Sequence, residues 1–224
     1  PSELFLWRSQ SPQALVAAMA PLAKALASAT TEAELSQLAY TVHGSYSQQL
    51  PGEGPQLHLA IVATSVQDLR EKMARAREAL SNPDSPHIID PRGVYYTAQP
   101  MALQGKAACL FPGQGSQQLN MLKDLALQFH TIRASLEQAN DALHDVLDRP
   151  LSRYIFPPPT FTRDEAEAAG ETLTDTRIAQ PALGAIEGGL FHLLRSFGVQ
   201  PDFVAGHSYG EYVALYAAGV LTAK

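Results

Sequence analysis

Hydrophobic positions repeat along this chain with two periods, and the periods separate helices from strands. Ser11-Pro12, a capping serine with proline at the first helical position, opens an Ala/Leu-rich helical run to about Ala29. Thr31 with Glu34 forms a capping box, and Leu35, Leu38, Ala39 and Val42 then share one helix face until Gly44, which is expected to end it. Residues 45–56 read as a loop by their glycines, prolines and polar side chains. The run LHLAIVAT at 57–64 reads as a strand, and Ser65 with Asp68 opens another helix. Its charged positions (Asp68, Arg70, Glu71, Lys72, Arg75, Arg77 and Glu78) read as a solvated face. Residues 81–93 then form a loop and 94–97 a short strand.

The second half changes character. A strand-like run at 107–111 leads into Pro112-Gly113-Gln114-Gly115-Ser116-Gln117, a glycine-punctuated turn, and helical patterns follow at about 119–129 and 132–147. Residues 150–170 read as a proline-rich loop running into an acidic surface helix. Thr174-Asp175-Thr176 precedes a helix at 178–197, whose Ala, Leu and Gly pattern points to close packing on a sheet, and Gly198 ends it. Strand, helices, strand and helix in this order imply parallel strands with right-handed crossovers. The expected class is α/β from residue 106 onward, preceded by a small α+β unit at 1–105 that carries no nucleophile, metal-ligand cluster or phosphate loop.

Composition narrows the partners. The 224 residues are 46% hydrophobic and 17% charged, enough for a sizeable core, and the net charge of −6 argues against a general nucleic-acid binder. No apolar run reaches membrane-spanning length, the N-terminal stretch lacks the basic region of a signal peptide, and the single cysteine, Cys109, forms no internal disulfide. A cytoplasmic protein is expected. The chain begins at Pro1 and stops at Lys224 just past a helix, and it is expected to be a piece of a longer polypeptide.

The chemistry concentrates at 201–221, PDFVAGHSYGEYVALYAAGVL. A short apolar run meets Gly206, then His207, Ser208, Tyr209 and Gly210, and a helical pattern follows: strand, sharp turn, helix, with Ser208 at the turn. Gly206 and Gly210 leave room for a tight reversal. A serine there projects its hydroxyl outward, while the first amides of the helix favour negative charge, so the Tyr209 amide could hold an oxyanion formed on an attacked carbonyl. Glu211 in the first turn suits the same dipole. The amides of the 113–117 turn are free to face a ligand, but the turn lacks the Lys-Ser/Thr ending of a phosphate loop.

Three segments, LFPGQGSQ at 110–117, AQPAL at 179–183 and GHSYGE at 206–211, together resemble the malonyl-transacylase-type acyltransferase domains of modular polyketide synthases, fatty acid synthases and polyunsaturated fatty acid synthases. The unit at 1–105 resembles the linker domain between ketosynthase and acyltransferase. The resemblance implies the N-terminal part of a parallel-sheet, α/β-hydrolase-like acyltransferase core at 106–224. It implies that Ser208 takes a malonyl-type acyl group from coenzyme A and passes it to the phosphopantetheine thiol of an acyl carrier protein. The amides of Gln114 and Tyr209 would hold the oxyanion, Gln180 would line the acyl pocket, and His207 matches the histidine of the elbow motif. Read without the family, His207 is a packing or hydrogen-bonding residue hemmed by the turn. The resemblance implies no resident cofactor or metal, coenzyme A thioester as substrate, and a neighbouring ketosynthase, with no role for nucleic acid or membrane.

The family's general-base histidine and carboxylate-binding arginine fall beyond Lys224. None of His43, His58, His87, His130, His144 and His192 matches the base. The chain alone is therefore expected to be inactive, a loss on the order of 10⁴ or more in rate. Tyr209 is larger than the residue often found after the serine, which leans toward the polyunsaturated-fatty-acid type. Two other readings share the elbow: an esterase or thioesterase of the α/β-hydrolase type, and a non-catalytic docking scaffold of a synthase.

Overall fold

The computed structural model describes residues 2–48, 56–82, 87–99 and 105–222. The chain divides into two compact units, Pro1–Leu103 and Gln104–Lys224.

In the first unit, β1 (Glu3–Ser9), β2 (Leu57–Ala63), β4 (Val94–Thr97) and β3 (His87–Asp90) form an antiparallel sheet in the order β1-β2-β4-β3. Alternate residues Phe5, Trp7, Leu59, Ile61, Ala63, Val94 and Tyr96 point to one face. There they bury against Leu15, Met19, Leu22 and Leu26 of α1 (Pro12–Leu26), Leu35 and Ala39 of α2 (Glu32–Gln48), and Leu69, Met73, Ala76 and Leu80 of α3 (Val66–Ser81). The caps read from sequence are present: Ser11 Oγ accepts from Ala14 N, Ser65 Oγ from Asp68 N, and Thr31 with Glu34 makes both capping-box bonds.

Four expectations for this unit need correction. No strand is expected at β1, whose seven residues pair with β2 about fifty positions on, and β3 lies inside the expected loop at 81–93, a four-residue edge strand with too few alternations to register. Residues 45–48 are helical, not loop, because α2 runs through Gly44 to Gln48; the glycine faces open space, where it weakens a helix by about 1 kcal/mol without ending it. The remainder of that expected loop, 49–55, lies outside the described residues. Finally, the charged face of α3 is only partly solvated. Lys72 is buried, and its ammonium donates to the Val62 carbonyl at 2.8 Å and to Asp68 at 2.7 Å, while Arg70 donates to the Ala29 carbonyl at 2.8 Å. Free carbonyls at the ends of β2 and α1 attract the long cationic side chains inward.

The second unit is organised around α8 (Thr176–Ser196). One side of it packs on Ile132 and Leu136 of α5 (His130–Ala142), on α6 (Leu151–Ile155) and on Leu173 of α7 (Arg163–Thr174). On the other side, Phe191 meets Phe111 edge to face at 5.8 Å, beside Val213 of α9 (Gly210–Ala217). β5 (Ala108–Phe111) and β6 (Phe203–Gly206) pair in parallel, from Ala108 with Phe203 to Phe111 with Gly206, as the strand-helix-strand order requires. Gly198 has φ of +87° and ends α8 as expected.

Here too the boundaries shift. The helix expected from about 119 begins only at α4 (Lys123–Gln128), because Asn120 and Leu122 take left-handed φ values of 61° and 53° and the Asn120 amide donates to the Ile155 carbonyl at 2.8 Å. α5 stops at Ala142 instead of 147, and α6 lies within the expected proline-rich loop. No helix among the described residues is long and apolar enough to cross a membrane.

Candidate active site

Ser208 stands at a crossing of three backbone segments. β5 passes alongside β6, and the His207 amide donates to the Phe111 carbonyl at 3.0 Å, carrying the strand pairing one residue past Gly206. The chain then reverses. Ser208 adopts φ of +55°, and the amides of Gly210 and Glu211 donate back to the carbonyls of His207 and Ser208 at 3.0 and 3.1 Å, starting α9. A left-handed non-glycine residue costs roughly 1–2 kcal/mol, and such strain is retained where the surroundings over-determine it. A β-carbon on Gly206 would fall 2.1 Å from the Gly210 carbonyl, and one on Gly210 would fall 2.2 Å from the Phe111 oxygen. The glycine spacing in G-H-S-Y-G is thus a steric requirement of the crossing.

The third segment is the 112–117 turn. A β-carbon on Gly113 would lie 2.5 Å from the His207 carbonyl oxygen and 2.9 Å from Ser208 Cβ, so this turn runs directly against the bend. Gln114 follows Gly113, and its side chain is fixed from α8: its amide donates to Thr176 Oγ1 at 3.1 Å, and its carbonyl accepts a long contact from Gln180 at 3.4 Å. Gln114, Gln180, Ser208 and Tyr209 are therefore drawn together by contacts across the turn, α8 and the bend. Neither the Gln114 nor the Tyr209 backbone N–H donates to any acceptor among the described residues. Ser208 is exposed. So is His207, which was expected to be hemmed by the turn; Gly113 crowds only one side of its ring, near Nδ1.

Tyr209 turns the other way. Its ring spans from the bend to α8, where its hydroxyl would lie 2.9 Å from a β-carbon placed on Gly184. It joins Pro181, Gly184, Gly188, Tyr212 and Tyr216 among the walls of a cavity of about 320 Å³ between α5, α8 and α9.

Sequence reasoning missed Glu187. It is 8% exposed on the same side of α8, and neither carboxylate oxygen has a hydrogen-bond partner. Burial pushes its carboxyl up to about 7, and burial together with the nearby Glu187 charge raises the Tyr209 phenol. The available signal was a lone acid within the Ala/Leu/Gly pattern of α8, one turn and two turns on from the inward positions Leu183 and Ala179.

None of the described histidines hydrogen-bonds Ser208. His192 Nε2 lies 2.6 Å from the Tyr216 hydroxyl, His144 beside Asp145 and His58 beside Tyr46. Among the described residues no group of three or more His, Cys, Asp and Glu side chains is placed to hold a metal ion.

A family model described as acyl transferase domain matches residues 109–224. Over 118 residues, 53% of this chain, the sequence is 46% identical to the phenolphthiocerol synthesis polyketide synthase type I Pks15/1 of Mycobacterium marinum, covering 5% of that protein. Over 196 residues, 88% of this chain, it is 32% identical to the PKS-NRPS hybrid synthetase acdB of Aspergillus candidus, covering 8% of it. The structure of the acyl transferase domain of ZmaA superposes with a TM-score of 0.71 at 26% identity, covering 100% of this chain and 45% of that one. The chain thus spans less than a tenth of these curated relatives and under half of the solved structure. With the ordered motifs, the serine bend and all but the first residue of the parallel β5-β6 pair on the matched residues, the chain belongs to the acyl transferase domain family.

Proposed function

We propose that this chain supplies the nucleophile and oxyanion-binding half of an acyltransferase that loads a malonyl-type group onto an acyl carrier protein in polyketide or fatty acid synthesis. Ser208 Oγ attacks the thioester carbonyl of acyl-coenzyme A, forming a tetrahedral oxyanion. Collapse breaks the C–S bond, the coenzyme A sulfur takes the proton given up by the Ser208 hydroxyl and leaves as the thiol, and the acyl group stays on Ser208 as an ester. The phosphopantetheine thiol of the carrier protein then attacks that ester and regenerates the serine. Amides aimed at the developing charge are worth about 10²–10³ in rate for each donor. The observation that carries this reading is the approach of Gly113 to Ser208, which sets the unengaged amides of Gln114 and Tyr209 on the two segments flanking one nucleophile. Gln180, held to Gln114, lines the acyl side, and His207 borders it.

A serine hydroxyl is a weak nucleophile without a base. We assign the general-base histidine, and the arginine that pairs with the free malonyl carboxylate, to parts of the complete domain outside this chain, so that the chain by itself transfers no acyl group. Residues 1–105 are assigned as the linker domain to a neighbouring ketosynthase, in a cytoplasmic synthase. Coenzyme A enters as substrate, with no resident cofactor.

Radiolabelled malonyl-coenzyme A given to the complete acyltransferase tests this. Label is expected on the peptide containing Ser208 and is expected to leave it only when phosphopantetheinylated carrier protein is added. Rapid release of free malonate without transfer to the carrier would instead indicate a hydrolase.

A further inference from the structure

The turn that passes Ser208 is fastened on both sides of the Gln114 amide. Residues 113–116 form a β-turn closed by the Ser116 amide, which donates to the Gly113 carbonyl at 3.2 Å. That carbonyl and the Gln114 N–H belong to one planar trans peptide and point in opposite directions, so a carbonyl turned inward to Ser116 leaves the Gln114 N–H directed out of the turn. Gly115 holds the third position with φ of +108°, a sign that a type II turn requires there and that glycine adopts without strain. Glycine also leaves this joint free, and nothing lies within 4 Å of a β-carbon built on it. Rotation of the 114–115 peptide changes ψ of Gln114 and φ of Gly115 together, and with them the closure that aims the Gln114 N–H.

One side chain restrains that rotation. Gln117 Oε1 accepts the Gly115 amide at 2.7 Å, a shorter bond than the turn's own closure. Gln117 is half-buried, whereas its neighbour Gln118 is exposed. On the donor residue itself, the Gln114 side chain is already tied to Thr176 Oγ1 on α8.

We propose that Gln117 is a positioning residue for oxyanion stabilisation: by holding the 114–115 peptide in one orientation, it fixes the direction in which the adjacent Gln114 amide meets the acyl oxygen on Ser208. The inference rests on the acyltransferase reading above. Without this acceptor the Gly115 amide turns to water, so the fold loses little. The turn then samples both orientations of the peptide and must be re-ordered as the oxyanion forms, a cost that falls on the transition state and not on substrate binding.

Single-turnover acylation of Ser208 by malonyl-coenzyme A in the complete acyltransferase tests this, because it separates the limiting rate from the half-saturating concentration. Gln117→Met keeps the length of the side chain and removes the acceptor. It is expected to lower the limiting rate about tenfold, with half-saturation within about twofold of the parent and an unchanged thermal melt. Gln117→Glu restores an acceptor oxygen and is expected to react at least about threefold faster than Gln117→Met. Gln118→Met, the same change one position on, is expected to match the parent. A Gln117→Met limiting rate within about twofold of the parent, a loss confined to half-saturation or to the melt, an equal loss in Gln118→Met, or a Gln117→Glu rate no better than that of Gln117→Met overturns the inference alone. A parent enzyme that never acylates Ser208 overturns the functional reading and this inference with it.

Discussion

Gly113 and Ser208 approach so closely that a methyl group on the glycine would sit 2.9 Å from the serine Cβ and 2.5 Å from the His207 carbonyl oxygen. This contact ties the first strand-to-helix turn of the second unit, which carries Gln114, to the nucleophile bend, which carries Tyr209, 95 positions apart in sequence.

Gly113→Ala is therefore expected to act on catalysis more than on folding. The turn must retreat from the bend by several tenths of an ångström, which separates the two amides proposed as oxyanion donors. A loss of about 10²-fold in kcat is expected, the size of removing one oxyanion donor, with little change in KM. Steady-state kinetics on the complete domain, beside a thermal melt, separates this from simple unfolding.

Glu187 makes stability depend on pH in a direction opposite to most carboxylates. Its carboxyl titrates at about 7 in the fold against an ordinary value of 4.5, because burial disfavours the charged form. Between these values the folded state binds more protons than the unfolded state, so stability falls as pH rises from about 4.5 and levels off above about 7. The loss is at most roughly 3 kcal/mol. Glu187→Gln is expected to abolish this slope. Denaturation midpoints of both proteins at pH 5 and pH 8 give the answer, since Asp90 and Asp202, whose pKa values are lowered by Arg92 and Lys106, change stability only at more acidic pH.

In the first unit, Lys72→Ala is expected to destabilise by about 2–3 kcal/mol. The change strips the Val62 carbonyl of its donor and leaves Asp68 without its cation in a partly buried setting, a mechanism that costs far more than loss of a surface ion pair. Arg77→Ala, on the solvent side of the same helix, is expected to stay within about 0.5 kcal/mol. Chemical denaturation of the two variants checks the contrast.

Local signals in the chain announced the bend and its surroundings. Glycines at 206 and 210 stand where any β-carbon collides with backbone, and the caps at Ser11, Thr31 and Ser65 accept the bonds their spacing calls for. What the sequence hid is set by tertiary contact. β1 and β3 are strands because β2 and β4 offer them partners, Lys72 is inside because an unpaired carbonyl waits there, and Asn120 delays α4 by bonding to Ile155. Glu187 escaped notice because one acid in an otherwise small and apolar helix face looks like surface until tertiary packing buries it. The seat of Tyr209 on Gly184 was equally invisible, since it joins residues on separate elements and neither position carries a motif of its own beyond the serine bend.

The central claim is that Ser208 carries the acyl group as an ester. Intact-protein and peptide mass spectrometry of the complete acyltransferase after brief exposure to malonyl-coenzyme A tests it most directly. The account predicts a malonyl adduct confined to the peptide bearing Ser208, absent from Ser208→Ala and discharged by carrier protein; an adduct on another residue, or one that persists in Ser208→Ala, would contradict it.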